Sequence, residues 1–114
     1  MCDEMSGRFL TDFELMVMLA VLRVREDAYG VSIAREIEQT GGRCVTHAAV
    51  YLALDRLSQH GLVASRLGDP TPERGGRAKK LFSITPAGLR AIRQTQRAFM
   101  ALWKGIPELK GTPV

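Results

Sequence analysis

Thr46, His47, Tyr51 and Arg56 fall within one helix-like stretch, THAAVYLALDRLSQHG, in which His47, Ala48, Tyr51, Leu52 and Asp55 lie largely off the apolar stripe. A hydroxyl, an imidazole, a phenol and a guanidinium are groups that hydrogen-bond phosphate oxygens and base edges. Further along, Arg74, Arg77, Lys79 and Lys80 surround Gly75-Gly76 in GDPTPERGGRAKK. There the missing side chains let backbone and guanidinium approach a polyanion closely. Phosphate contacts are expected from Thr46, Tyr51, Arg56, Arg74, Arg77 and Lys79, with Gly76 giving access. His47 is expected to read bases and Leu52 to meet a thymine methyl, while Ala48 and Ala49 permit close approach. Each has a plainer reading. Tyr51 can pack inward with its hydroxyl at the surface, and His47 can be an exposed first-turn residue. Arg56 can pair with Asp55 or Asp69, and the loop can be a solvated tip.

Catalytic chemistry finds no support. The chain has no Ser/His/Asp order with supporting glycines, no GxGxxG, no HExxH and no paired acids in an apolar setting. Cys2 and Cys44 lack CxxC spacing and neighbouring paired histidines, so neither zinc nor a disulfide is expected. Reduced thiols in a cytoplasmic protein without a cofactor are the simpler expectation. No signal peptide is evident, and the most apolar run, Leu15 to Leu22, is too short to cross a bilayer.

These side chains need elements to hold them. Thr46 suits an N-cap and Gly61 a left-handed C′ position, while Val50, Leu54 and Leu57 make one apolar stripe between them. Strand-like runs follow at Leu62 to Leu67 and Lys79 to Ile84, with Phe82 and Ile84 on the core face. A second helix, about Val31 to Thr40, precedes the first stretch. It carries Ile33, Ala34 and Ile37 inward and ends at Gly41-Gly42. Its short link to Thr46 fits helix-turn-helix geometry. The expected fold is mainly α with a small β-hairpin, a winged helix-turn-helix.

Thr11 and Glu14 have capping-box spacing and open a helix of about Asp12 to Arg25 that is apolar on nearly every side. The surplus predicts that a second subunit covers one face, with Phe13 and Val17 at that interface; the plainer reading is a central helix buried within one chain. Thr85-Pro86 opens the last helix, whose stripe of Leu89, Ile92, Gln96, Phe99 and Trp103 also needs a partner. The expected organisation is a flexible arm over 1–10, a winged helix over 11–85, a dimerisation helix over 86–105 and a loose tail over 106–114.

The chain's 114 residues suit one domain with a modest core. Charge is split. Residues 1–42 carry 4 Lys/Arg against 8 Asp/Glu, a net −4, and residues 43–114 carry 12 against 4, a net +8. The basic part favours a polyanion, although excess charge also serves solubility.

Residues 11–105 resemble the PadR family of bacterial transcriptional regulators. Ala28-Tyr29-Gly30-Val31 with Ile33 is similar to the family's A-Y-G-x-x-I. Val50-Tyr51-x-Ala53-Leu54-x-Arg56-Leu57 with Gly61-Leu62-Val63 resembles its recognition-helix signature. Gly75-Gly76-Arg77-x-Lys79-Lys80 with Phe82 resembles its wing, and Thr85-x-x-Gly88 the opening of its last helix. The resemblance implies a homodimeric repressor on double-stranded operator DNA. The recognition helix would enter the major groove, the wing would lie on flanking backbone, and the last helix would cross to the partner's first. It also implies a small hydrophobic or aromatic effector as a second role for Trp103, beside that of interface anchor. His47, Ala48 and Ala49 depart from the usual Pro, Gly and Ser/Thr, so no operator sequence is carried over. The rival reading is a winged-helix module that binds protein without sequence-specific DNA binding, against which the basic wing argues.

Overall fold

A computed structural model describes residues 10–70 and 78–110 of the chain. Helix α1 spans Asp12–Val24, α2 Gly30–Gly41, α3 His47–Gln59 and α4 Pro86–Trp103, with strands β1 (Val63–Pro70) and β2 (Ala78–Ile84) between α3 and α4. The strands pair antiparallel, Val63 against Ile84 and Ser65 against Phe82, with an irregularity between Leu67 and Pro70. Helices α1 to α3 pack together and the hairpin follows the third. This is a winged helix-turn-helix.

The helix ends follow from local chemistry. Thr11 Oγ1 accepts from the Glu14 amide at 3.1 Å, and Glu14 Oε1 accepts from the Thr11 amide at 2.9 Å, closing the expected capping box. Thr46 and Thr85 cap α3 and α4 with their hydroxyls, which accept from Ala49 N–H and Gly88 N–H without a reciprocal side-chain bond. Gly42 and Gly61 stop α2 and α3 at φ of +71° and +74°, a region costly for any residue with a Cβ. Helix α2 starts one residue before the expected Val31. Tyr29 stands extended at its N-cap, and the Ser32 hydroxyl accepts the Tyr29 amide at 3.0 Å.

The core joins Val17, Met18 and Val21 of α1 to Ile33 and Ile37 of α2. Val50, Leu54 and Leu57 of α3 and Phe82 of β2 complete it. Burial of side chains this large stabilises by about 1.5–3 kcal/mol each. Val17 was expected at a subunit interface, but it has 0% exposure. It has no surface to offer a second chain. The exposed face of α1 is instead centred on Leu19. Leu10 does not belong to an arm: it is buried, and its amide donates to Thr95 Oγ1 of α4 at 3.2 Å. Only residues 1–9 of the expected arm remain, and they lie outside the described residues. Within the expected tail, Pro107–Leu109 form a 3-10 turn.

Helix α4 meets its own chain through Gly88, Ala91 and Thr95, small residues at spacings of three and four. Ile92 also packs partly against the core, while the large apolar residues further along α4 face elsewhere. Phe99, Met100, Leu102 and Trp103 are exposed, and so are Ile106 and Leu109 beyond the helix. Such a run of large exposed apolar groups is characteristic of an interaction surface.

Candidate nucleic-acid interface

Helix α3 divides cleanly. Val50, Ala53, Leu54 and Leu57 are buried, while Thr46, His47, Ala48, Tyr51, Leu52, Asp55 and Arg56 are exposed. Among the large residues of the outer face, Leu52 is 62% exposed and Tyr51 43%. Ala49 is half-buried and its amide is committed to the cap at 3.1 Å, so of the expected site residues on α3 it presents least. Thr46 accepts that bond with a lone pair and keeps its own hydrogen to donate.

Tyr51 sits at one edge of this face. Its ring lies against the backbone of Gly30 at the start of α2, so closely that a Cβ there would come within 2.3 Å of ring carbon Cζ. The ring is therefore seated on its inner side while the residue stays accessible. Both the packed and the outward readings of Tyr51 describe part of its environment. Arg56 sits at the other edge and pairs with Glu14, not with Asp55; the side chain of Asp69, the other expected partner, lies outside the described residues. Its Nε is 3.8 Å from Glu14 Oε2, whose side chain is nearly buried. That contact ties α3 to α1, because a carboxylate held away from water is stabilised by a nearby cation. Asp55 instead accepts from Gln59 Nε2 at 3.3 Å, placing an amide–carboxylate pair one turn beyond Tyr51 and Leu52.

An open groove of about 570 Å³ runs between α3 and the hairpin, lined in part by Ala48, Tyr51, Leu52, Asp55, Ser65 and Lys80. Lys80 is exposed and faces the same groove as Tyr51, which its place in a run of basic residues did not single out. Lys79 goes elsewhere: its Nζ lies 3.6 Å from Asp27 Oδ1 and 4.3 Å from the centre of the Tyr29 ring. Alternation along a strand sends neighbouring side chains to opposite faces, so adjacent lysines have different surroundings. Arg74, Gly76 and Arg77 lie outside the described residues.

Among the described residues no group of His, Cys, Asp and Glu could hold a metal ion. Cys44 is exposed, but the Glu38 carboxylate, 3.0 Å from its Sγ, raises the thiol pKa and so disfavours the thiolate. No described helix is long and apolar enough to cross a membrane.

A sequence profile described as the transcriptional regulator PadR-like family matches residues 18–94. Among solved structures, a PadR family transcriptional regulator from Eggerthella lenta DSM 2243 shares 28% identity with a TM-score of 0.66. The match covers 86% of this chain and 83% of that one. The complex structure of hsRosR-S4 matches at 26% identity and a TM-score of 0.66, covering 90% and 82%. A PadR-like regulator from Bacillus cereus strain ATCC 14579 shares the fold at 19% identity and a TM-score of 0.69, covering 88% and 93%. No curated protein matches.

Proposed function

Because the chain belongs to the PadR-like family of transcriptional regulators, which are not enzymes, we propose that it binds operator DNA as a homodimer and represses transcription. The observation that carries this reading is the outer face of α3. It holds Thr46, His47, Ala48, Tyr51 and Leu52 in the open beside a groove shared with Lys80. A helix with small and hydrogen-bonding residues on one exposed face suits the major groove of a duplex.

In this reading Thr46, Tyr51, Arg56 and Lys80 touch phosphates, and Arg74 and Arg77 with Gly76 lie on the flanking backbone. His47 and Leu52 face base edges. The Asp55–Gln59 pair extends that surface, since a carboxylate can accept from cytosine and an amide can pair with adenine. The partner subunit is held through α4, with Phe99 and Trp103 packing against the other chain's α1 around Phe13 and Leu19. Leu89 and Ile92 continue that seam. Trp103 serves as interface anchor, and a planar aromatic effector stacked on it would quench its fluorescence.

A gel-shift titration with the DNA upstream of the protein's own gene tests the whole reading. Two half-sites about one helical turn, roughly 34–36 Å, apart should be protected in a footprint. Binding that is absent even at low ionic strength would sink it. Within the same assay, Arg77→Ala should weaken binding to all sequences alike. It should also reduce the slope of log affinity against log salt by about 1 for each phosphate the guanidinium had neutralised. Unchanged affinity across several salt concentrations would remove Arg77 from the site.

A further inference from the structure

The turn between α1 and α2 touches both elements assigned to DNA. We propose that residues 27–30 are a joint holding the hairpin and the recognition helix in one mutual setting, with Lys79, Tyr29 and Gly30 as positioning residues. The inference rests on the DNA reading above and assigns Lys79 a different role from the phosphate contact expected of it.

On the hairpin side, the Phe82 amide donates to the Ala28 carbonyl oxygen at 2.8 Å, so β2 is bonded to the turn as well as to β1. On the same strand the Lys79 ammonium is held by the Asp27 carboxylate and the face of Tyr29, at 3.6 and 4.3 Å. Its side chain is only 27% exposed. A lysine so engaged fixes its strand to the turn and does not neutralise a phosphate. On the helix side, Gly30 leaves the space that the Tyr51 ring occupies; an added Cβ would stand 2.3 Å from both Cζ and Oη. The turn itself is pinned by Ser32, buried, which accepts the Tyr29 amide and donates to the Asp27 carbonyl oxygen. One short segment therefore sets where the wing lies and where Tyr51 points.

Two measurements test this. In DNA-free protein, Tyr29→Leu and Lys79→Met should raise hydrogen exchange at the Phe82 amide roughly tenfold, through local opening, while core amides of α3 keep their protection. In DNA titrations Lys79→Met should lower affinity yet leave the salt slope as in the native protein, whereas removing a phosphate-binding cation would lower that slope by about 1. Gly30→Ala should weaken binding roughly tenfold in the native background and leave it unaltered in Tyr51→Ala, because the ring it displaces is then gone. Unchanged exchange at Phe82, a reduced slope for Lys79→Met, or an equal Gly30→Ala effect in both backgrounds would each overturn the joint. If the native protein bound no duplex, the DNA reading would fail by itself. The exchange measurement would then decide the joint, and it also does so if Gly30→Ala does not fold.

Discussion

Gly88→Ala is expected to destabilise the fold by about 1–3 kcal/mol, the usual cost of forcing extra volume into a packed site. In a helix this substitution ordinarily gains up to about 1 kcal/mol, so the sign depends on the surroundings. Here they decide against it. A Cβ on Gly88 would lie 2.2 Å from the Leu62 carbonyl oxygen, 2.8 Å from Ile84 Cγ2 and 3.1 Å from Met18 Cε. The methionine can move, but the carbonyl cannot, because it also accepts the Thr85 amide at 3.1 Å. Thr85 adds a second tie, donating its hydroxyl to the Gly61 carbonyl oxygen at 2.7 Å while capping α4 through the Gly88 amide. The Thr-x-x-Gly spacing thus stitches the first turn of α4 onto the chain leaving α3. Urea denaturation checks this: a lower midpoint with an unchanged slope is expected. A midpoint at or above that of the native protein would show that the backbone yields at no cost.

What could be foreseen divides by the range of the interaction. Thr11, Thr46 and Thr85 announce helix starts, and Gly42 and Gly61 announce helix ends, because a cap is satisfied within three or four residues. The inward stripes of α2 and α3 were legible for the same reason, since a repeat of three and four needs no knowledge of the partner. Helix α1 was not legible in this way. It is apolar nearly all round, so periodicity could not tell buried Val17 from exposed Leu19; packing of α2 and α3 on one side makes that choice.

The site was harder to read, because its side chains are placed by distant residues. Arg56 turns to Glu14 on α1, and Lys79 to Asp27 and Tyr29, pairings that neither charge runs nor strand alternation could reveal. Gly30 reads in sequence as a turn glycine just before the second helix. Its contact with Tyr51 shows that the missing side chain matters for what rests on it. Lys80 was part of a basic run, and only the closure of the hairpin beside α3 brings it to the groove.

Replacing both Phe99 and Trp103 by glutamate should convert the proposed dimer to a monomer and weaken operator binding by about 100-fold or more. Linking two half-site contacts typically gains a factor of about 10²–10⁴, and separate subunits forfeit it. The argument begins from what α4 leaves uncovered. At 18 residues it is about 27 Å long, and only the face of Gly88, Ala91 and Thr95 is fully buried against its own chain. Phe99 is 53% exposed and Trp103 42%, and Met100, Leu102, Ile106 and Leu109 extend the same apolar region. Large aromatic side chains at the centre of an interface commonly carry most of its energy. A carboxylate in their place cannot be buried without a cation. Because Phe99 and Trp103 lie outside the core, the helical signal in circular dichroism should survive the change. Sedimentation velocity at micromolar concentration then separates the outcomes. A native dimer and a folded monomeric variant with weak binding are expected. A native protein that sediments as a monomer, or a variant that stays dimeric with undiminished affinity, would show that α4 does not join the subunits.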